Sequence, residues 1–374
     1  MPEFKRSSVL ELEVTSKCTL SCPVCPRVRQ VKDKDFWDNG GIDADVLLNA
    51  IDDMVEKVYF GGAYGDAIYH PDIIRIMQGV KDKKITFNLD TNGSYVKEQT
   101  WNEMADLLDL EDVVTFSVDG PPDNFTGYRV NGDWPTIERG IRALTSKGKS
   151  VRWKYIVFKY NSSYQDIKAA YDKARELGVK QFMLVHTKRA QPGQHIEIED
   201  FSENLDKLEE YADSLFALGT GMKPPKLKIQ IHPRVRKVNE KQINQKHIKN
   251  LPEKTISDDR RIFKSIKRNS NKKYNNIIQT ETQNYQTQHV YPQCMNVNNW
   301  PQFIGSDGIF YPCCYTRTEK RVLEQAGFTQ QDFDSMSVYN HTIDEIVTGP
   351  GYQKLMANFD NLSVCKTKCP AKSK

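Results

Sequence analysis

The 374-residue chain has no long apolar run: nothing in it approaches the ~18 consecutive apolar residues that would span a bilayer. No membrane helix is therefore expected. The first residues, MPEFKRSSVLELEV, also lack the apolar core and small-residue cleavage site of a secretion signal. A chain that is not exported is expected in a reducing cytoplasm, where disulfides do not persist. Its eight cysteines then need another use. Cys18, Cys22 and Cys25 stand together near the N-terminus, and Cys294, Cys313, Cys314, Cys365 and Cys369 all lie in the last quarter. No fourth Cys or His lies close to the first three, so the closed four-ligand shell of a structural zinc site is not supplied locally.

Net charge is small overall, at +4, but it is unevenly spread. Residues 223–281 hold 17 Lys or Arg against five Asp or Glu, a local excess of +12. The same stretch is rich in Asn and Gln and has little helical or strand period, which reads as a basic linker or insertion over 223–290. A solvated loop is the plain reading; a patch meeting an anionic substrate or partner is the other. Base-stacking aromatics do not accompany the basic residues, so nucleic acid is not the expected partner.

From residue 8 to about 190 short β-like runs alternate with amphipathic helical segments, the pattern of an α/β chain with a parallel sheet. The strand candidates are 9–14, 57–60, 85–90, 113–118, 151–158 and 181–186. Helices are expected over 44–55, 72–81, 98–108, 136–146, 164–177 and 199–218. Six strand–helix units fit a partial (β/α)6 TIM-like barrel over residues 1–222, in which the loops after the strands build the site. A small C-terminal module is expected over 291–374.

The polar motifs do follow the strands. After the first comes Cys18-Thr-Leu-Ser-Cys22-Pro-Val-Cys25-Pro, a C-x3-C-x2-C loop. Three thiolates can hold three irons of a cubane and leave the fourth iron open to chelate a small molecule. After the second strand come Gly65-Asp66-Ala67 and His70-Pro71-Asp72. After the third comes Asp90-Thr91-Asn92-Gly93, and after the fourth Ser117-Val118-Asp119-Gly120, with Arg129 further on. Each of these alone would be an ordinary turn. In this order they resemble the radical S-adenosylmethionine (SAM) superfamily. The resemblance implies that Cys18, Cys22 and Cys25 hold a [4Fe-4S] cluster with an open iron site. It further implies that Gly65, Asp66, Asn92, Ser117, Asp119 and Arg129 line the bound SAM. Asp66 stands where the family usually has Glu, Ala67 where it has Pro, and Val24 where it often has an aromatic.

Later in the chain Cys294-x13-Gly308-x4-Cys313, then Cys314, then Cys365-x3-Cys369-Pro370 resemble the SPASM and shorter Twitch auxiliary-cluster domains. The dense central cysteine run of a full SPASM domain is missing, which implies one auxiliary [4Fe-4S] cluster rather than two. Cys294, Cys313, Cys365 and Cys369 are its expected ligands. Adjacent side chains in extended backbone point opposite ways, so Cys313 and Cys314 should not both reach one cubane; Cys314 is the spare or the alternative. A four-thiol zinc site over the same residues stays open.

The resemblance implies reductive cleavage of SAM to a 5′-deoxyadenosyl radical that takes hydrogen from a substrate C–H. An auxiliary cluster points to oxidation or bond formation. The expected substrate is a small molecule (a sugar, aminocyclitol or nucleotide-like compound) or a peptide, in either case one that could be anionic, and the electron would come from a flavodoxin or ferredoxin. The chain reaches its first strand by residue 9, so a peptide leader is expected to need a separate binding partner. Lys154 on the fifth strand, and His186, Lys188 and Arg189 at and after the end of the sixth, are candidates for handling the substrate. The competing reading is a zinc or iron-sulfur regulatory or electron-transfer protein that never turns over SAM.

Overall fold

The structure, a computed structural model, describes residues 6–30, 40–186, 202–217, 228–231, 301–318, 320–358 and 362. Among these, nine strands form one mixed α/β sheet: β1 (Val9–Leu12), β2 (Lys57–Phe60), β3 (Thr86–Thr91), β4 (Val113–Ser117), β5 (Val151–Val157), β6 (Gln181–His186), β7 (Lys228–Ile231), β8 (Gln302–Ile304) and β9 (Phe310–Tyr311). Their order is β7-β6-β5-β4-β3-β2-β1-β8-β9. Every pairing is parallel except that of β8 with β9.

All six expected strands form, within a residue or two for most ends. The helices between them do as well: α2 (Ala44–Ala50), α3 (Ile73–Asp82), α4 (Glu98–Leu107), α5 (Trp134–Ser146) and α6 (Tyr164–Glu176), after a short α1 (Pro26–Gln30). Their starts have local causes. The Asp43, Asp133 and Ser163 side chains accept from first-turn N–H groups that would otherwise lack partners, and Pro135 stands in the first turn of α5. The expected helix over 199–218 forms as α7 (Ser202–Ala217). Leu10, Leu12, Val58, Phe60, Phe87, Leu89, Val114 and Phe116 alternate onto the helix-covered face and are buried in the main core. Trp101 of α4 packs 5.1 Å from Phe116 and close against Gly140 of α5, where a Cβ would stand 2.6 Å from the indole nitrogen.

Two features were not expected. β7 lies inside the segment read as a basic linker and pairs with β6, because KIQI alternates as a strand should. The C-terminal module also adds to the sheet: Leu10, Glu11 and Leu12 of β1 pair with Gln302, Phe303 and Ile304 of β8. After β9 the module continues through α8 (Cys314–Arg317), α9 (Lys320–Gln325), α10 (Gln330–Asp334), α11 (Ile343–Thr348) and α12 (Pro350–Ala357). Thr329 and Thr342 start α10 and α11 with reciprocal capping boxes. Phe303 is fully buried where the module meets the barrel. Phe303→Ala is therefore expected to cost about 3–5 kcal/mol, read as a lowered midpoint in denaturant with an unchanged m-value. A shift under about 1 kcal/mol would mean that β8 does not hold the module in place.

Candidate active site

The cysteine loop leaves β1 and is tied down from two sides. The Asp66 N–H donates to the Lys17 carbonyl (3.0 Å), and the Ser21 N–H donates to the Val130 carbonyl (3.0 Å). Leu20, Cys22 and Val24 are buried together with Tyr128, Ile156 and Phe158, and Cys18 and Cys25 pack against this cluster. Three thiols thus line an apolar pocket at the C-terminal end of the strands. Burial, with the Asp66 carboxylate adding, pushes Cys18 up to about 12, and burial raises Cys22 against the opposing pull of Arg129. A bare thiolate is disfavoured there, and a positively charged iron cluster is what such a donor set suits. N–H donors face the sulfurs as well: the Asn92 side-chain amide donates to Cys18 Sγ (3.5 Å) and Arg129 hydrogen-bonds Cys22. Among the described residues no three His, Cys, Asp or Glu side chains converge on a point that one metal ion could fill. Three thiolates suit a cubane, with one iron per thiolate and the fourth iron left open.

Asp66 does something its motif did not indicate. It is 7% exposed, and its carboxylate accepts from the Thr91 hydroxyl (3.1 Å), the Asn92 N–H (2.6 Å), the Asn92 side-chain amide (2.6 Å) and the Ile68 N–H (3.4 Å). Burial pushes the group up to about 6, less far than it would without these donors. Asp66 is spent on holding the Thr91–Asn92 turn beside Cys18. Gly65 brings the backbone so close to the cysteine loop that a Cβ there would lie 1.7 Å from the Thr15 carbonyl oxygen.

On the other side of the pocket, Arg129 Nε donates to the fully buried Asp119 (2.6 Å). Burial alone would depress the guanidinium, but Asp119 more than offsets it and keeps Arg129 charged. The other Asp119 oxygen accepts from the Ile156 N–H (2.7 Å), so this carboxylate too is committed to the scaffold. Ser117 ends β4, buried, in register with Lys154 of β5. Gly65, Asp66, Asn92, Ser117, Asp119 and Arg129 are thus gathered around the strand ends that carry the triad, two of them with carboxylates already in use.

Lys154 lies on the concave face of the sheet, its Nζ 2.5 Å from Asp90. The same face carries Glu11, which sequence reasoning passed over although the alternation VLELEV sets Glu11 and Glu13 on the face opposite Leu10 and Leu12. Burial, with Glu13 and Asp90 adding, pushes Glu11 up to about 7 against its bond to Cys314 and the pull of Lys154. Burial would raise Asp90, but Lys154 more than offsets it and holds the carboxyl below its usual range. His186 closes β6, paired with Val157. Lys188 and Arg189 lie outside the described residues.

Of the later cysteines, Cys294, Cys365 and Cys369 also lie outside the described residues. Cys313 and Cys314 meet different partners. Cys313 is buried with its sulfur 3.3 Å from the Thr316 hydroxyl, and Cys314 hydrogen-bonds Glu11 on the concave face.

Residues 12–174 match the radical SAM superfamily, and residues 294–370 match the SPASM iron-sulfur cluster-binding domain. The chain thus carries a radical SAM domain followed by a SPASM-type domain. The radical SAM domain takes a [4Fe-4S] cluster and SAM, and the SPASM domain takes an auxiliary iron-sulfur cluster. Over 120 residues the chain is 32% identical to a tungsten-containing aldehyde ferredoxin oxidoreductase cofactor-modifying protein of Pyrococcus furiosus. That match covers 30% of this chain and 31% of the relative, so it spans about a third of the relative's length. The fold resembles SuiB of Streptococcus suis bound to its precursor peptide SuiA, with a TM-score of 0.56 and 13% identity over 94% of this chain and 67% of that one. It also resembles anSMEcpe with bound AdoMet and a Cp18Cys peptide, with a TM-score of 0.54 and 12% identity over 96% of this chain and 85% of that one. At these identities the likeness is one of fold. Among the described residues no helix is long and apolar enough to cross a membrane.

Proposed function

We propose that this radical SAM chain is an oxidoreductase or bond-forming enzyme that acts on a C–H bond of a polar substrate bound on the concave face of the sheet. The observation that carries the reading is the meeting of the thiol triad with the Asp66–Asn92 turn, which follows Asp90 on β3, where Asp90 pairs with Lys154 and acts on Glu11. Cys18, Cys22 and Cys25 would hold the first cluster. Gly65, Asn92, Ser117 and Arg129 would face SAM, and Asp66 and Asp119 would hold them in place. When bound, the cluster and SAM supply a reductive cleavage that generates the hydrogen-abstracting radical.

The chain's own side chains would orient the substrate and manage its proton. Lys154 Nζ carries positive charge at a half-open position against Asp90, where a substrate oxygen could share it. Glu11, with a pKa near neutrality, is poised to take or return a proton at its carboxyl oxygen. Once a hydrogen atom has been taken from the C–H bond, the remaining substrate radical has one electron and one proton to lose; Cys294, Cys313, Cys365 and Cys369 would hold an auxiliary cluster, which would supply an acceptor for that electron. A flavodoxin- or ferredoxin-like protein would supply the first electron. The peptide complexes of the SuiB and anSMEcpe folds favour a peptide substrate, and a sugar- or nucleotide-like small molecule is the second candidate.

Anaerobic reconstitution with iron and sulfide is expected to load about eight irons, and dithionite with SAM is then expected to yield 5′-deoxyadenosine. A fully loaded, reduced protein that neither binds SAM nor makes 5′-deoxyadenosine would refute the reading. With a substrate in hand, Lys154→Met is expected to lower kcat/KM by about 10²-fold, with iron content unchanged. Wild-type kcat/KM in this variant would remove Lys154 from the substrate site.

A further inference from the structure

Glu13, immediately after β1, and Arg317, at the end of α8, form a buried ion pair that neither cofactor motif includes. The Glu13 side chain is fully buried and that of Arg317 is 6% exposed, with Arg317 Nε 3.0 Å from Glu13 Oε1. The second carboxylate oxygen faces the other way and accepts from the Ala63 N–H (2.6 Å) and the Tyr64 N–H (2.8 Å), in the loop between β2 and Asp66. Arg317 is held in turn by the Ser306 hydroxyl (3.0 Å) and the Asp307 carboxylate, and its guanidinium lies 5.5 Å from the Tyr64 ring centre. The surrounding backbone makes room for this pair. A Cβ on Gly62 would lie 2.7 Å from Glu13, and one on Gly305 would fall on the Arg317 guanidinium.

The helix that ends at Arg317 begins at Cys314, directly after Cys313. The loop capped by Glu13 runs into Gly65 and Asp66, which seat the cysteine triad and the Asn92 turn. One guanidinium thus joins the start of the auxiliary-cluster module to the loop at the SAM pocket. We infer that Arg317 is a positioning residue for SAM: acting through Glu13, it holds residues 61–66 in the SAM-binding arrangement and so makes SAM binding depend on the docked C-terminal module. The inference rests on the reading of residues 61–66 as part of the SAM site. The geometry favours a guanidinium: its terminal nitrogens donate to Ser306 and Asp307, which sets the charged group beside Glu13 as an ion pair without an aligned hydrogen bond, a placement that one ammonium cannot reproduce.

The test uses the full chain, reconstituted anaerobically, as wild type, Arg317→Lys, Arg317→Met and Glu13→Gln. Iron content, the SAM Kd and the SAM-induced change in the electron paramagnetic resonance spectrum of the reduced triad cluster are measured for each. Arg317→Met and Glu13→Gln are expected to bind SAM about 10–100-fold more weakly with iron retained, and Arg317→Lys to fall between. The double variant Glu13→Gln with Arg317→Met is expected to be no weaker than the worse single variant, because both changes break one link. SAM affinity within about twofold of wild type in the Met and Gln variants would overturn the inference, as would weakening that only parallels loss of iron. Where Arg317→Met fails to fold, Arg317→Lys decides, and wild-type affinity and spectrum in that variant overturn the inference. A wild-type protein that shows no SAM-induced spectral change would instead sink the SAM-site reading itself.

Discussion

Cys22→Ala is expected to abolish 5′-deoxyadenosine formation and to lower the iron content of the reconstituted protein from about eight to about four. Cys22 is the triad thiol that lies inside the small apolar cluster with Leu20, Val24, Tyr128, Ile156 and Phe158. A cubane held by three protein thiolates has no spare ligand, and the two carboxylates near the triad, Asp66 and Asp119, are already committed to the Thr91–Asn92 turn and to Arg129. The substitution removes one sulfur from an apolar pocket, which costs on the order of 1 kcal/mol in packing and leaves the fold intact. Far-UV circular dichroism and a thermal midpoint close to wild type would thus accompany the lost activity. An alanine variant that kept its iron and its 5′-deoxyadenosine rate would refute the assignment of the cluster to this loop.

Asp66→Ala is expected to remove both stability and SAM binding. One carboxylate here satisfies four donors from three residues, all buried or nearly so. Orphaning a buried donor costs about 1–3 kcal/mol, and partial relaxation of the turn makes about 3–5 kcal/mol a reasonable total. The Asn92 amide would lose its hold beside Cys18, so the SAM Kd should rise by at least about tenfold even where the protein stays folded. Asp66→Asn should be nearly as harmful, because an amide cannot accept from all four donors. Asp66→Glu, which restores the residue more common in the family, should also destabilise the protein, by about 1–3 kcal/mol, since the extra methylene has to fit among groups already in contact. Urea midpoints together with SAM titrations check the series, and an Asp66→Ala protein as stable as wild type would show that the turn holds itself.

Much of the architecture was legible in advance. Runs such as VVTFSV and VRWKYIVF are β-branched and aromatic at strand length, and three of the segments between them carry side-chain caps at their starts. Most strand and helix positions therefore emerged with small boundary errors, the first expected helix excepted, which was to reach residue 55 and ends at Ala50. The β7 strand was obscured because four residues of KIQI sit inside a strongly basic stretch whose composition dominates any window. The site was legible as an inventory of motifs but not as a division of labour. Asp66 and Asp119 stand where the motifs put them, yet their carboxylates are consumed by the turn and by Arg129. Glu11 and Glu13 were visible as alternating carboxylates on β1, but an acidic residue on a strand is ordinarily a solvated one. Their burial comes from neighbours on β3, β5, β8 and α8 that no local pattern reveals.

The sequence by itself determined the three-thiol loop, the six strand–helix units and the placement of every polar motif after a strand. These depend on covalent spacing, side-chain period and cap chemistry, all of which act over a few residues. Only the tertiary structure decided that the C-terminal module enters the sheet beside β1, that Cys313 and Cys314 face different surroundings, and that Arg317 reaches Glu13 from the other end of the chain. Those outcomes depend on which strands pair and in which register, a choice made by the packing of the whole core.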